Sequence, residues 1–304
     1  MINIAVALDD RFLMPVSVLI NSIGFNNKNG NNIKIYAFSL PALRDESRIV
    51  LLNECKKYNI LIDFIKCDIP NVEQLEKLVS GRWSVAVFIR LFIPDLLPNI
   101  NKILFLDGDI IVRHDLKELY EIDLKENAVA AVYDAAAPHP CFLMKYDDSF
   151  GYFNAGMLLI NCDYHRKHKM SNIYLDFLRI NKDNLRFLDQ DILNNVLFQK
   201  KLIVHPKFNF HYANYFYKDK NYNYYDRRSV VLEAYDNPTI VHFTNDIKPW
   251  HKYCPNPYTL EWNKYLKMSI FRGYKKDVKR SDKVTIIKHF ISMLCGFFHL
   301  QRYI

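Results

Sequence analysis

Two carboxylates one residue apart, Asp107-Gly108-Asp109, separate the apolar runs Ile103-Leu-Phe-Leu and Ile110-Ile-Val. Carboxylates are costly beside a core unless something neutralises them. Residues i and i+2 of an extended chain project to one face, so both acids can reach one cation, and Gly108 lets the backbone turn or approach a ligand closely. A divalent metal that also bridges a diphosphate suits the pair; a polar turn between two strands would read the same. An EF-hand is excluded, because a loop starting at Asp107 requires glycine at its sixth position and has Val112. Further on, the short run Thr239-Ile-Val delivers His242, and a polar turn delivers Lys248 before Pro249 and Trp250. An imidazole at a strand end can complete a site begun by two carboxylates, and a nearby ammonium can neutralise phosphate. Oxygen and nitrogen ligands joined by phosphate oxygens favour Mn2+, with Mg2+ the second choice.

Two other segments set polar residues against apolar runs. In Phe153-Asn-Ala-Gly-Met-Leu-Leu-Ile, Asn154 and Gly156 open the run. An Asn amide bonds a sugar hydroxyl as donor and acceptor, although a turn entering a strand has the same look. Asp189-Gln-Asp opens the helix-like Ile192-Leu-Asn-Asn-Val-Leu-Phe. Acids in a first helical turn suit the macrodipole, so these read either as capping groups or as groups that act on a ligand. From 205 to 237 the chain is rich in Tyr, Asn and Phe, as in Phe208-Asn-Phe-His-Tyr and Tyr222-Asn-Tyr-Tyr, and loses periodicity. That predicts an aromatic, partly irregular segment, packed on the core or forming a wall of rings for the apolar faces of sugars.

These residues need a frame. Apolar runs of strand length alternate with amphipathic stretches: a strand over 2–8, a helix over 13–25, a strand over 33–39, a helix over 45–58 and a strand over 61–65. Such order predicts an α/β fold, a mostly parallel sheet covered by helices on both faces, with ligands beyond the carboxyl ends of the strands. No G-x-G-x-x-G or G-x-x-x-x-G-K-[ST] is present among only eight glycines, which argues against dinucleotide and P-loop sites.

Half of the 304 residues are hydrophobic, which excludes disorder and allows a large core. The formal charge of +8 sits mostly in 271–304, with eight Lys/Arg against two Asp. A near-neutral body with a basic end is a weak case for a nucleic-acid groove, and no nucleic acid is expected as partner. Cys55, Cys67, Cys141, Cys162, Cys254 and Cys295 form no C-x-x-C pair and read as reduced thiols of a cytosolic chain. The first residues lack a basic region before their short apolar run, so no signal peptide is expected. Lys288 and His289 break the longest apolar stretch of the tail, too short to span a bilayer. Val284, Ile287, Phe290, Ile291, Leu294, Phe297 and Phe298 nevertheless share one helical face, behind basic residues from Lys275 to Lys283. The pattern predicts a helix lying on an anionic membrane surface; a helix closing the core or a dimer contact is the other reading.

Taken together and in this order, the motifs from Ile4 to about Tyr265 resemble glycosyltransferase family 8, nearest its bacterial lipooligosaccharide and lipopolysaccharide galactosyl- and glucosyltransferases. The resemblance implies a single nucleotide-diphospho-sugar transferase domain of GT-A type over 1–270, followed by the basic amphipathic tail 271–304. It implies transfer of galactose or glucose from a UDP-sugar, with retention, to an oligosaccharide or lipid-linked saccharide. It also implies work at the cytoplasmic face of the inner membrane.

Residue by residue, the resemblance implies that Asp9, following Ala7 and Leu8, contacts the uracil and that Phe12 stacks on it. Ser84-x-x-x-Phe88-x-Arg90 brings an arginine to the donor, Asp107 and Asp109 with His242 hold the metal, and Gly108 lies between them. Asn154, with Ala155, and Asp189 contact the transferred sugar, Gln190 lies beneath the anomeric carbon, and Lys248 meets the diphosphate. Asp134 is the expected acceptor contact. Two positions depart from the family: Asn245 stands where a glycine usually precedes the lysine, and Arg11 where small or amide residues are common. Asn tolerates a positive φ, so the loop is expected to survive with an altered contact. Gln190 is a poor nucleophile, which favours front-face attack; double displacement on Asp189 or Asp191 is the alternative. A phosphohydrolase using Asp107 as nucleophile leaves Asn154, Gln190 and His242 unexplained, and an inactive sugar-binding protein leaves the metal ligands without purpose.

Overall fold

The computed structural model describes residues 1–67, 69–70, 72–77, 84–134, 150–212, 228–278 and 283–298. The expected alternation is present: β1 (Ile2–Leu8), α1 (Leu13–Asn26), β2 (Ile33–Ser39), α2 (Asp45–Lys56) and β3 (Leu61–Lys66). Next come α3 (Val72–Glu76), a 3-10 helix over Val85–Leu91, α4 (Ile93–Leu96), β4 (Lys102–Leu106), β5 (Ile110–Val112), α5 (Lys117–Tyr120) and β6 (Val129–Tyr133). After them follow β7 (Phe153–Asn161), α6 (Cys162–Lys167), α7 (Met170–Asn181), α8 (Asp189–Val196) and β8 (Lys201–Ile203). The last elements are α9 (Arg228–Asp236), β9 (Ile240–His242), α10 (Thr259–Met268) and α11 (Lys283–Phe298).

The main sheet has the order β3-β2-β1-β4-β7-β6-β8, and β7 alone runs against its neighbours. The fold is therefore α/β with a mostly parallel mixed sheet, as expected. Side chains alternate between its faces. On β4, Ile103 and Phe105 join Phe38, Phe88 and Ile192 in one core, while Leu104 and Leu106 join Ile4, Val6 and Leu19 in the other. Each such fully buried side chain contributes about 1.5–3 kcal/mol.

Two local features prepare the site. First, β5 leaves the main sheet and pairs antiparallel with β9, Ile110 opposite His242 and Val112 opposite Ile240. Ile111 and Val241 anchor this ribbon in a third core with Val18, Phe243 and Trp262. Second, the β6–β7 register shifts between Ala131 and Val132: Ala131 pairs with Leu158 but Val132 with Asn154. Ala155, Gly156 and Met157 are thereby freed from β6, and bulges of this kind re-aim the chain near sites.

Part of the aromatic segment 205–237 is regular: α9 occupies Arg228–Asp236 and packs Val231, Ala234 and Tyr235 on Phe210 and Tyr212. The buried face of this helix is Val231, Ala234 and Tyr235; Tyr222-Asn-Tyr-Tyr lies outside the described residues. At the other end, residues just beyond 270 stay with the body. Phe271 and Tyr274 pack on the core of Trp262, and the Lys252 N–H donates to the Asp277 carbonyl at 2.9 Å. Along α11, Val284, Ile287, Phe290, Ile291 and Leu294 are exposed; the side chains of His289, Phe297 and Phe298 lie outside the described residues. No helix among the described residues is long and apolar enough to cross a membrane. Cys55, Cys67, Cys162 and Cys254 are free thiols, and burial pushes those of Cys55 and Cys162 up to about 12. Cys141 and the Cys295 side chain lie outside the described residues.

Candidate active site

The carboxyl ends of β1, β4 and β6 each deliver an acid, Asp9, Asp107 and Asp134, to one edge of the sheet, and the reversed β7 enters from that edge with Asn154. The chain crosses from β1 outward to β3 and then returns to β4 on the other side of β1. Asp9 and Asp107 thus flank the switch point where sheets of this kind bind ligands.

Asp107, Asp109 and His242 converge, with ligand atoms all within 4.8 Å of one another. The β5–β9 ribbon causes this: the Phe243 N–H donates to the Asp109 carbonyl at 3.0 Å, which sets His242 Nε2 3.1 Å from Asp109 Oδ1 and 3.8 Å from Asp107 Oδ2. The chain turns at Gly108 and Asp109, as glycine there allows, and the two carboxylates stand together. Lys248 Nζ donates to Asp109 Oδ2 at 2.7 Å and to the Phe243 carbonyl at 2.6 Å. Burial opposes ionisation of Asp109, but Lys248 and His242 hold its carboxyl well below the usual range. An oxygen, oxygen and imidazole set fits a divalent cation. Gly156 makes the room: a Cβ there would lie 2.1 Å from His242 Cε1 and 2.8 Å from Asp107 Oδ2.

Arg90 braces the acids. Ser84 caps the 3-10 helix by accepting from the Ala86 N–H, and the last turn points Arg90 inward. Its Nη2 donates to Asp107 Oδ1 at 2.9 Å, its Nη1 to the Ala155 carbonyl, and its Nε lies 2.9 Å from Asp189 Oδ2. Its guanidinium covers the Phe105 ring at 4.4 Å. Burial works against this cation, and Asp107 and Asp189 outweigh it. Burial also pushes the Asp189 carboxyl up to about 7 against the pull of Arg90.

Beside this lies a buried amide network. Gln190 Oε1 accepts from the Ala155 N–H at 3.0 Å and its Nε2 donates to Asp134 Oδ2 at 3.1 Å. Asn154 Nδ2 donates to the same Asp134 oxygen at 3.3 Å, while its Oδ1 accepts from the Gly156 N–H at 2.9 Å. Asp191 has a different place. Its Oδ2 accepts from the Arg186 and Phe187 N–H groups and its Oδ1 from the Tyr152 hydroxyl at 2.7 Å, and the residue is fully buried. Asp191 holds the turn that starts α8, including Leu188 at φ +46°, a strain of about 1–3 kcal/mol. Both its oxygens are committed, so the displacement chemistry considered for Asp191 is not what its surroundings favour.

At the far side, Asp9 caps the 3-10 turn after β1. Its Oδ1 accepts from the Arg11 N–H at 2.9 Å and its Oδ2 from Arg11 Nε at 3.0 Å and Nη2 at 2.6 Å. Arg11 therefore covers the acid from solvent. Phe12 meets Trp250 edge-on at 6.0 Å, and the space over Gly108 is filled by Phe12, whose Cδ1 lies 3.0 Å from where a Cβ would stand. Ala7 is half-buried at the end of β1. Asn245 is half-buried and does not adopt a positive φ, so the glycine conformation considered for this position is not used here.

Sequence reading missed Asn209, Tyr152 and the role of Gly156. Asn209 and His211 are completely buried between Phe208, Phe210 and Tyr212. The alternation of rings with polar residues was the available signal, because a strand-like segment that buries its polar face must bury it against other polar groups.

The model of the glycosyl transferase family 8 matches residues 3–254. A lipopolysaccharide 1,3-galactosyltransferase of Salmonella typhimurium is 30% identical over 271 residues, covering 84% of this chain and 74% of its own. A lipopolysaccharide 1,2-glucosyltransferase of Escherichia coli is 27% identical over 99% of this chain and 90% of its own, and general stress protein A of Bacillus subtilis 26% over 87% and 92%. The crystal structure of the galactosyltransferase LgtC with donor and acceptor sugar analogs shares the fold, with a TM-score of 0.78 at 22% identity over 90% of this chain and all of that one. With the match running from β1 through the ribbon that seats His242, this chain belongs to glycosyl transferase family 8.

Proposed function

We propose that the protein transfers galactose or glucose from a UDP-sugar, with retention, to a saccharide acceptor of bacterial lipooligosaccharide or lipopolysaccharide type. The observation that carries this reading is the convergence of Asp107, Asp109 and His242 beside the Arg90–Asp189 pair and Gln190 at one edge of the sheet. A Mn2+ ion, or Mg2+ as second choice, would be held by Asp107, Asp109 and His242 and would supply charge neutralisation for the departing diphosphate.

The other roles belong to the chain. Lys248 Nζ, set against Asp109, gives the diphosphate a second cation. Asp9, Phe12 and Ala7 line the base side, with Arg11 and Asn245 as features of this chain. Arg90 keeps Asp107 and Asp189 in place, and Asn154, Ala155 and Asp189 present hydrogen-bonding groups to the sugar. Gln190 is fixed at both ends of its carboxamide and stabilises positive charge at the reacting carbon, which supports front-face attack. Asp134, shared by Gln190 and Asn154, faces the acceptor. A phosphohydrolase using Asp107 as nucleophile would leave His242, Asn154 and Gln190, which converge beside it, without a role.

The exposed apolar face of α11 and the basic residues before it support attachment to anionic lipid at the cytoplasmic face of the inner membrane, where a lipid-linked acceptor is met. On this reading the tail begins after Val278, since Phe271, Tyr274, Lys276 and Asp277 still contact the body. The test is Mn2+-dependent release of UDP from a panel of UDP-sugars. UDP-galactose or UDP-glucose should be turned over, and equal rates with Asp107→Ala would overturn the metal site.

A further inference from the structure

Asn209 lies on the stretch that runs beside β9. The Thr239 N–H donates to the Lys207 carbonyl at 2.8 Å, the Phe210 N–H to Ile240 at 2.9 Å and the His242 N–H to Phe210 at 3.0 Å, so Asn209 is in fixed register with the imidazole. Its side chain has no exposure and lies between two site residues. Asn209 Nδ2 donates to Asn154 Oδ1 at 3.1 Å, and Asn209 Oδ1 lies 3.1 Å from His242 Nδ1.

The orientation of these groups is determined by a backbone donor. Asn154 Oδ1 accepts from the Gly156 N–H, so it is the oxygen of that amide. Asn209 must therefore present its NH2 to Asn154 and its oxygen to His242. An amide oxygen only accepts, so His242 Nδ1 carries a proton and donates. Nε2 is then the nitrogen turned to Asp107 and Asp109. A partner on the far ring nitrogen that fixes tautomer and direction is what a metal-binding histidine requires.

We infer that Asn209 is a positioning residue that holds His242 with one end of its amide and Asn154 with the other, so that the cation ligand and the sugar-side amide share one support. The inference rests on the assignment of Asp107, Asp109 and His242 as the metal site. Through Asn154, the same support reaches Asp134 and Gln190. A carboxylate at 209 would keep the acceptor for His242 but place an acceptor against Asn154 Oδ1, and a leucine would remove both contacts.

The test measures Mn2+ affinity by calorimetry and UDP-hexose KM on the full chain, with thermal melts to confirm folding. Asn209→Leu should weaken Mn2+ binding about 10–100-fold. Asn209→Asp should bind Mn2+ within about threefold of the parent while its KM rises about tenfold. A structural role alone would not split the two readouts. Should Asn209→Leu fail to fold, Asn209→Asp decides: a tenfold loss of Mn2+ affinity there, or an unchanged KM, overturns the inference, as does a folded Asn209→Leu with parental Mn2+ affinity. His242→Ala is the control for the assignment beneath it. Mn2+ binding that survives in His242→Ala removes the metal site itself, a result distinct from any difference at Asn209.

Discussion

Gly156 leaves His242 the space in which it stands: a methyl group on Gly156 would come within 2.1 Å of the imidazole Cε1. The same carbon would press on Asp107 Oδ2 at 2.8 Å, and the Asp107 N–H is tied to the Gly156 carbonyl at 2.8 Å. Neither neighbour can retreat freely, because His242 is held by Asn209 and Asp107 by Arg90. Gly156→Ala should therefore lower kcat/KM by about 100-fold, the scale of a 1 Å misplacement. Overpacking should also cost about 1–3 kcal/mol of stability. Steady-state kinetics with UDP-hexose and Mn2+ check this, and near-parental kcat/KM would mean that His242 does not need its present position.

Arg90 bonds two acids and a carbonyl at once, a task its planar fork suits and an ammonium does not. Arg90→Lys keeps the charge but leaves at least one buried partner bare. Removing one partner of a buried pair costs about 3–5 kcal/mol, and this substitution should approach the lower end. Urea unfolding should show the loss together with a fall in kcat/KM. A variant that loses activity at full stability would instead place Arg90 directly on the donor.

Asp191 gives a sharper distinction. If it braces the turn before α8, Asp191→Asn sets an NH2 against donors from Tyr152, Arg186 or Phe187 and costs about 1–3 kcal/mol. Activity measured well below the melting temperature should then fall only modestly. Complete inactivation of a variant that melts like the parent would return Asp191 to the role of nucleophile.

How much of this was legible beforehand follows from how local each signal is. The strands β1 to β3 and the helices between them show in period and length alone, and Asp107-Gly108-Asp109 stands out because acids interrupt buried runs. His242 was legible as the polar end of a short apolar run. Gly156 and Asn209 were not assigned a task, since their meaning lies in atoms far along the chain, an imidazole that needs room and a ring nitrogen that needs an acceptor. Asp191 was read with the first-turn acids, as its position allows. Its bonds run backward to the turn before the helix, and only the positive φ at Leu188 reveals why they are needed.

His165 offers a pH test remote from the site. It is buried on α6, with Nδ1 2.8 Å from the Asn161 carbonyl and Nε2 3.0 Å from the Tyr174 hydroxyl, an arrangement that satisfies the neutral ring. Burial lowers its pKa from 6.5 to about 4. Its contribution is thus fully present above pH 6.5 and is lost as the pH falls toward 4, by about 3 kcal/mol in all, because the unfolded chain takes the proton first. The stability difference between the parent and His165→Gln should shrink across that window in denaturant titrations. A difference that stays constant from pH 7 to pH 4.5 would show that the ring titrates alike folded and unfolded.

The tail prediction depends on where the cut is made. Removing residues after Arg272 would also remove Tyr274, Lys276 and Asp277. The Lys276 Nζ donates to the Pro249 carbonyl at 2.6 Å and Asp277 accepts from Lys252, so that cut would disturb the loop carrying Lys248. A cut after Val278 spares these contacts and removes α11, whose Val284, Ile287, Phe290, Ile291 and Leu294 are exposed along one face. If that face lies on lipid, the shortened protein should no longer sediment with vesicles containing anionic phospholipid. It should keep its kcat/KM on a soluble acceptor. Vesicles of neutral phospholipid should hold the full chain weakly, and added salt should release it from anionic ones, since the basic residues act through screened charge. Undiminished sedimentation of the shortened protein would assign membrane contact to the body. Loss of activity on the soluble acceptor would assign α11 to the catalytic domain.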